Sequence, residues 1–109
     1  INQNLNIINK LSSENSGIFW IAGMTGDAKE EYINIMDAKK NLEINFTHPT
    51  LILNQLSKKM IKKSNSFIAV VTSVAGLRGR KKQLFYSPSR AGLISYLSGL
   101  RQKLSDDGI

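Results

Sequence analysis

Cysteine is absent from these 109 residues, so neither a disulfide framework nor a thiolate metal site is available. A single histidine, His48, excludes a histidine-rich metal centre, and no metal site is expected. Acidic residues are scarce, eight against fifteen lysines and arginines, which leaves a formal charge of +7 and a pI near 9.9. No apolar run approaches the roughly 20 residues of a membrane-spanning helix. The opening Ile1-Asn2-Gln3-Asn4 lacks the basic stretch and apolar stretch of a targeting peptide, and it lacks an initiator methionine. The expectation is a processed chain or a piece of something longer.

What remains is the composition of an ordinary globular protein, 41% hydrophobic and 21% charged. The length allows one domain, residues 1–109, with a small core. The excess positive charge fits a nucleic acid, a membrane surface or an anionic ligand.

Apolar residues Ile1, Leu5, Ile8 and Leu11 fall at helical spacing, and the polar stretch Ser12 to Gly17 ends that pattern. Ile18-Phe19-Trp20-Ile21-Ala22 is a short continuous apolar run that stops at Gly23. Its length and its β-branched and aromatic residues predict a strand buried on both faces. A turn, Met24 to Asp27, leads to a polar helical stretch over Ala28 to Ala38. A second helical pattern covers about Lys39 to Lys63, with Leu42, Phe46, Leu53, Leu56 and Met60 among its apolar positions. Pro49 predicts a kink or a start inside it. Asn45 lies mid-pattern, where a solvent-facing polar residue is the plain expectation.

Lys62 to Ser66 breaks the pattern again, and Phe67 to Val71 predicts a second strand buried on both faces, ending in Thr72 and Ser73. A basic, glycine-bearing loop, Gly76 to Lys82, precedes Tyr86. Pro88 is tolerated in a helix only in its first turn, so the last helix is expected to begin at Tyr86. It carries Leu93, Leu97, Leu100 and Leu104 on one stripe and stops at Asp106-Asp107-Gly108. Two strands joined by a helical crossover predict an α/β fold with a parallel βαβ unit. Ligands of such sheets bind beyond the carboxyl ends of the strands, where Gly23 and Ser73 fall.

Tyr86 and Arg90 are four residues apart, on one helix face. A cation beside a phenol favours the phenolate, the form that a proton acceptor needs. Ser73 stands thirteen positions before Tyr86. Two hydroxyls aimed at one carbonyl oxygen would bind it and supply a proton as negative charge develops. The plainer reading of the same residues is a surface packing pair and a strand-ending serine.

Ser73 followed by Tyr86-Ser87-Pro88-Ser89-Arg90 resembles the serine and Tyr-x-x-x-Lys motif of the short-chain dehydrogenase/reductase family. Three more stretches agree in order and spacing. Ile21-Ala22-Gly23 resembles the family's Asn-Asn-Ala-Gly, Leu42 to Phe46 its asparagine helix, and Phe67 to Gly76 its strand entering the serine. The resemblance implies the central β-α-β-α portion of a Rossmann-type doubly wound parallel sheet. It also implies a cytoplasmic NAD- or NADP-dependent oxidoreductase, acting on a small carbonyl or alcohol substrate as a homodimer or homotetramer. Tyr86 would be the acid/base, and Ser73 would bind the substrate oxygen. Asn45 would hold a relay water. Arg90 would favour the ionised tyrosine and bind the nicotinamide ribose, with Ala22 and Gly23 passing close to the cofactor. Within the family, Ser73 to Gly76 with Gly99-Leu100-Arg101 resembles reductases of sugar- or polyprenyl-linked keto groups.

Two departures stand out. Arg90 replaces the family's lysine; it keeps the charge but hardly ever releases a proton. The family's Gly-rich turn, which cradles the cofactor pyrophosphate at a helix start, does not occur in these residues. The chain is therefore expected to lack that turn and the substrate loop, and to bind nicotinamide cofactor poorly by itself.

Two other readings compete. Arg78, Arg80, Lys81 and Lys82, with Lys58, Lys59, Lys62 and Lys63, would give a nucleic-acid-binding module its phosphate affinity. No recognition motif accompanies them, and the family reading expects no nucleic-acid partner. The last reading is a non-catalytic relative that keeps only its assembly helices, with Leu93, Leu97 and Leu100 at the contact.

Overall fold

The computed structural model describes residues 17–61 and 65–109. The predicted helix over Ile1 to Leu11 and the break at Lys62 and Lys63 lie outside them. Two short strands, β1 (Gly17–Trp20) and β2 (Phe67–Val70), pair in parallel with Gly17 opposite Phe67 and Trp20 opposite Val70. The Val71 N–H extends the pairing by donating to the Trp20 carbonyl at 2.9 Å. The α/β architecture and the helical crossover are as the sequence predicts.

Between the strands run α1 (Ala28–Ile33), α2 (Ile35–Leu42), a π-helical turn (Glu43–Thr47) and α3 (His48–Met60). Asp27 starts α1 by accepting from the amides of Lys29 and Glu30. The predicted single helix over Ala28 to Ala38 is split at Asn34. Its amide closes α1 on the Glu30 carbonyl, and its side chain caps α2 through Met36. A short amide side chain that competes for backbone donors ends one helix and starts another.

Pro49 acts as the sequence predicts, sitting at the start of α3. It has no N–H for the carbonyl four residues back, and its ring crowds that position. The carbonyl in question is that of Asn45, in the middle of the π-helical turn.

After β2, a 3₁₀ turn (Val74–Leu77) and the basic loop lead into α4 (Tyr86–Leu104), which begins at Tyr86 as predicted. A short 3₁₀ turn (Ser105–Asp107) ends it, and Gly108 takes the left-handed conformation at φ 73° that a side chain would resist.

The strands are not buried on both faces, contrary to the sequence expectation. Ile68 and Val70 share a cavity of about 350 Å³ with Leu97, Leu100 and Leu104 of α4. The alternate residues Phe19, Ile21, Phe67 and Val71 are exposed. Side chains alternate across a strand, and no described helix covers the second face. Phe19 and Phe67 shield each other there, edge to face with centroids 5.1 Å apart. The core lies under the other face and along α4, where Leu53, Leu93, Leu100 and Leu104 are buried. Leu93 and Leu100 are therefore spent on the chain's own core, which removes them from the assembly contact considered above.

Candidate active site

Local folding sets each candidate residue. Ser73 leaves β2 in extended conformation, and its Oγ accepts the Ala75 amide at 3.2 Å, capping the 3₁₀ turn. The turn then lies against α4. A Cβ placed on Gly76 would stand 2.9 Å from the Ala91 nitrogen and from the Arg90 carbonyl carbon. Only a residue without a side chain allows that backbone approach. The serine loop is thereby held one helical turn from Tyr86.

Tyr86 opens α4 half-buried, and Arg90 follows one turn later on the same face. The guanidinium carbon sits 5.3 Å from the centre of the Tyr86 ring, in cation–π range. Arg90 is only 5% exposed. Its Nη2 donates to the Ala22 carbonyl at 3.5 Å, and a Cβ on Gly23 would overlap that same nitrogen. Nε and Nη1 are buried with no hydrogen-bond partner among the described residues. Two unpaired donors on a buried cation are costly unless something accepts them.

Asn45 is not the solvent-facing residue that the sequence alone suggests; it is fully buried. Its Oδ1 accepts the Met24 amide at 3.0 Å, and its Nδ2 donates to the Met24 carbonyl at 2.6 Å. The same Nδ2 donates to Asn41 Oδ1 at 2.7 Å and to the Asn41 carbonyl at 3.0 Å. Gly23 thus runs between the Asn45 amide and the Arg90 guanidinium. The structure brings together Ala22, Gly23, Asn45, Tyr86 and Arg90 at the carboxyl end of β1, with the Ser73 turn on the same helix. Ser73 and Tyr86 make no hydrogen bond to each other.

Sequence reasoning passed over Asn41 and Glu31. The signal for Asn41 was its position four residues before Asn45, on one helix face. Nothing in the sequence marks Glu31, which reads as one more exposed acid in a polar helix and is 4% exposed.

Residues 8–109 match the family model described as short chain dehydrogenase. The chain belongs to the short chain dehydrogenase family. Among curated relatives of this short chain dehydrogenase chain is a 3-oxoacyl-[acyl-carrier-protein] reductase of Synechocystis sp. It is 31% identical over 88 residues, which are 81% of this chain and 36% of that protein. Nodulation protein G of Rhizobium meliloti is 33% identical over 88 residues, again 81% of this chain and 36% of that protein. The chain therefore spans about a third of the length of these relatives.

Solved dehydrogenase structures share the fold. A 4-hydroxyisoleucine dehydrogenase complexed with NADH and succinate superposes with a TM-score of 0.86 at 19% identity, over 99% of this chain and 52% of its own. An NAD⁺-bound xylitol dehydrogenase gives 0.81 at 22% identity, over 99% of this chain and 42% of its own. The fold is accordingly a part of the Rossmann-type α/β sheet. The residues present fit a nicotinamide cofactor: the buried, unpaired donors of Arg90 suit ribose hydroxyls. Among the described residues no helix is long and apolar enough to cross a membrane.

Proposed function

We propose that this chain supplies the reacting and nicotinamide-facing part of an NAD- or NADP-dependent oxidoreductase acting on a carbonyl or alcohol. The pyrophosphate-binding turn and the substrate loop come from outside these 109 residues. Arg90 carries the reading. It is a buried cation stacked on Tyr86, with two donor nitrogens, Nε and Nη1, that find no acceptor among the described residues. A purely structural arginine would be paired, because an unmatched buried charge is strongly destabilising.

The bound cofactor supplies or receives the hydride. Tyr86 exchanges a proton with the substrate oxygen, and Ser73 Oγ donates a hydrogen bond to that oxygen as charge grows on it. Arg90 holds the ribose and stacks its guanidinium on the Tyr86 ring. Pro49 has no N–H to donate to the Asn45 carbonyl, which accepts from a relay water in this reading. Ala22 and Gly23 line the cofactor side.

The 3-oxoacyl-[acyl-carrier-protein] reductases among the relatives make a 3-oxo carbonyl compound the first substrate class to test. The reading carries with it a homodimer or homotetramer and a cytoplasmic setting. The experiment is titration of NADH and NADPH into the longer enzyme and its Arg90→Met variant. Loss of the charged ribose bonds weakens cofactor affinity about tenfold or more. Equal affinity in the two proteins overturns the assignment.

A further inference from the structure

Beneath the candidate site lies a buried polar chain whose outer members, Glu31 and Asn41, the proposed reaction does not use. Glu31 Oε1, on α1, accepts from Asn41 Nδ2 on α2, which also donates to the Thr25 carbonyl at 3.1 Å. Asn41 Oδ1 in turn accepts from Asn45 Nδ2 at 2.7 Å, and Asn45 grips both backbone polar groups of Met24. At Gly26, where φ is +73°, a Cβ would overlap the Glu31 carboxylate. Three side chains from the crossover helices thus fasten Met24, Thr25 and Gly26, the residues that follow Gly23.

We infer that Glu31 and Asn41 are positioning residues that hold Asn45 and the Gly23–Gly26 segment in register beneath the nicotinamide site. This rests on the oxidoreductase reading above. A carboxylate and a backbone carbonyl can only accept, so Glu31 and the Thr25 carbonyl together keep the Asn41 amide turned with its NH₂ towards α1 and its oxygen towards Asn45. Asn45 must then present its NH₂ to Asn41, which leaves its oxygen for the Met24 amide. A glutamine at position 31 would match either orientation and would leave the Thr25 carbonyl alone to set that direction. Glu31 is buried and makes no ion pair among the described residues. Two apolar side chains there would pack without the desolvation cost of a carboxylate. What such a pair would lack is the direction imposed on Asn45.

The test compares Glu31→Gln, Asn41→Leu and the double variant Glu31→Leu/Asn41→Leu. Urea unfolding gives stability, and hydrogen exchange at the Met24 amide reports the grip of Asn45. Turnover of NADH and NADPH with acetoacetyl-CoA as probe is followed in the longer enzyme. Removing both partners of a buried hydrogen bond restores much of the stability lost on removing one. We expect the double variant to regain stability while Met24 exchange stays about tenfold faster than in the parent. Turnover should also stay down by about tenfold, from misplacement of the reacting groups. Recovery of exchange and turnover together with stability would overturn the inference and leave the pair a packing feature. Tyr86→Phe is the control for the underlying reading. If it keeps full turnover, the oxidoreductase assignment fails, and Met24 exchange alone decides whether the pair positions Asn45.

Discussion

Gly23 leaves the space that the Arg90 guanidinium occupies: a Cβ at that position would overlap Arg90 Nη2. The strand end and the helix that follows the second strand are locked together there. The lock is made by a missing side chain on one element and a charged side chain on the other.

Gly23→Ala should therefore push the guanidinium off the Ala22 carbonyl and strain a residue that is only 5% exposed. Overpacking of this kind costs about 1–3 kcal/mol. Urea unfolding reads the loss, and a change within error would show that the guanidinium has room to move.

Asn45→Ala removes the acceptor of the Met24 amide and a donor to Asn41 Oδ1 inside a closed site. Buried groups left without partners cost about 1–3 kcal/mol in stability. Calorimetric or urea unfolding of the variant measures this directly.

Much of this arrangement was legible beforehand. The continuous apolar runs gave the two strands, Pro88 placed the start of the last helix, and Pro49 placed the start of α3. Gly23, Asn45, Ser73, Tyr86 and Arg90 were singled out by their family-like spacing. What escaped was set by tertiary context. The strand sequences do not tell whether a helix covers each face, so the exposure of Phe19 and Phe67 was not foreseen. Asn34 looks like any polar residue in an amphipathic stretch until its side chain caps the next amide. Glu31 is buried only because Asn41 and the Gly26 turn meet it, a contact between positions ten apart and on different helices.

Tyr96 gives a stability prediction that depends on pH. Its hydroxyl is buried without a partner among the described residues, and burial raises the phenol above its ordinary value of 10.0. The folded state therefore prefers the protonated form more than the unfolded state does. That contribution is complete below about pH 10 and is lost as pH rises through the raised folded value. Tyr96→Phe should remove this alkaline slope and, by deleting an unpaired hydroxyl, stabilise the chain by up to about 1 kcal/mol. Unfolding curves at neutral and alkaline pH check both parts.

Arg90→Lys tests the departure from the family's motif. A lysine keeps the charge beside Tyr86, removes the unpaired Nε and Nη1 donors, and can release a proton where arginine cannot. Turnover in the longer enzyme should rise. A fall would show that the site is built around the guanidinium fork.

The most direct measurement is the oxidation of NADH or NADPH by acetoacetyl-CoA in the longer enzyme, comparing the parent with Tyr86→Phe. Loss of the proton-exchanging phenol should lower turnover about a hundredfold or more while leaving the unfolding transition in place. Turnover within about twofold of the parent, far outside the range expected for a lost acid/base group, would contradict the assignment.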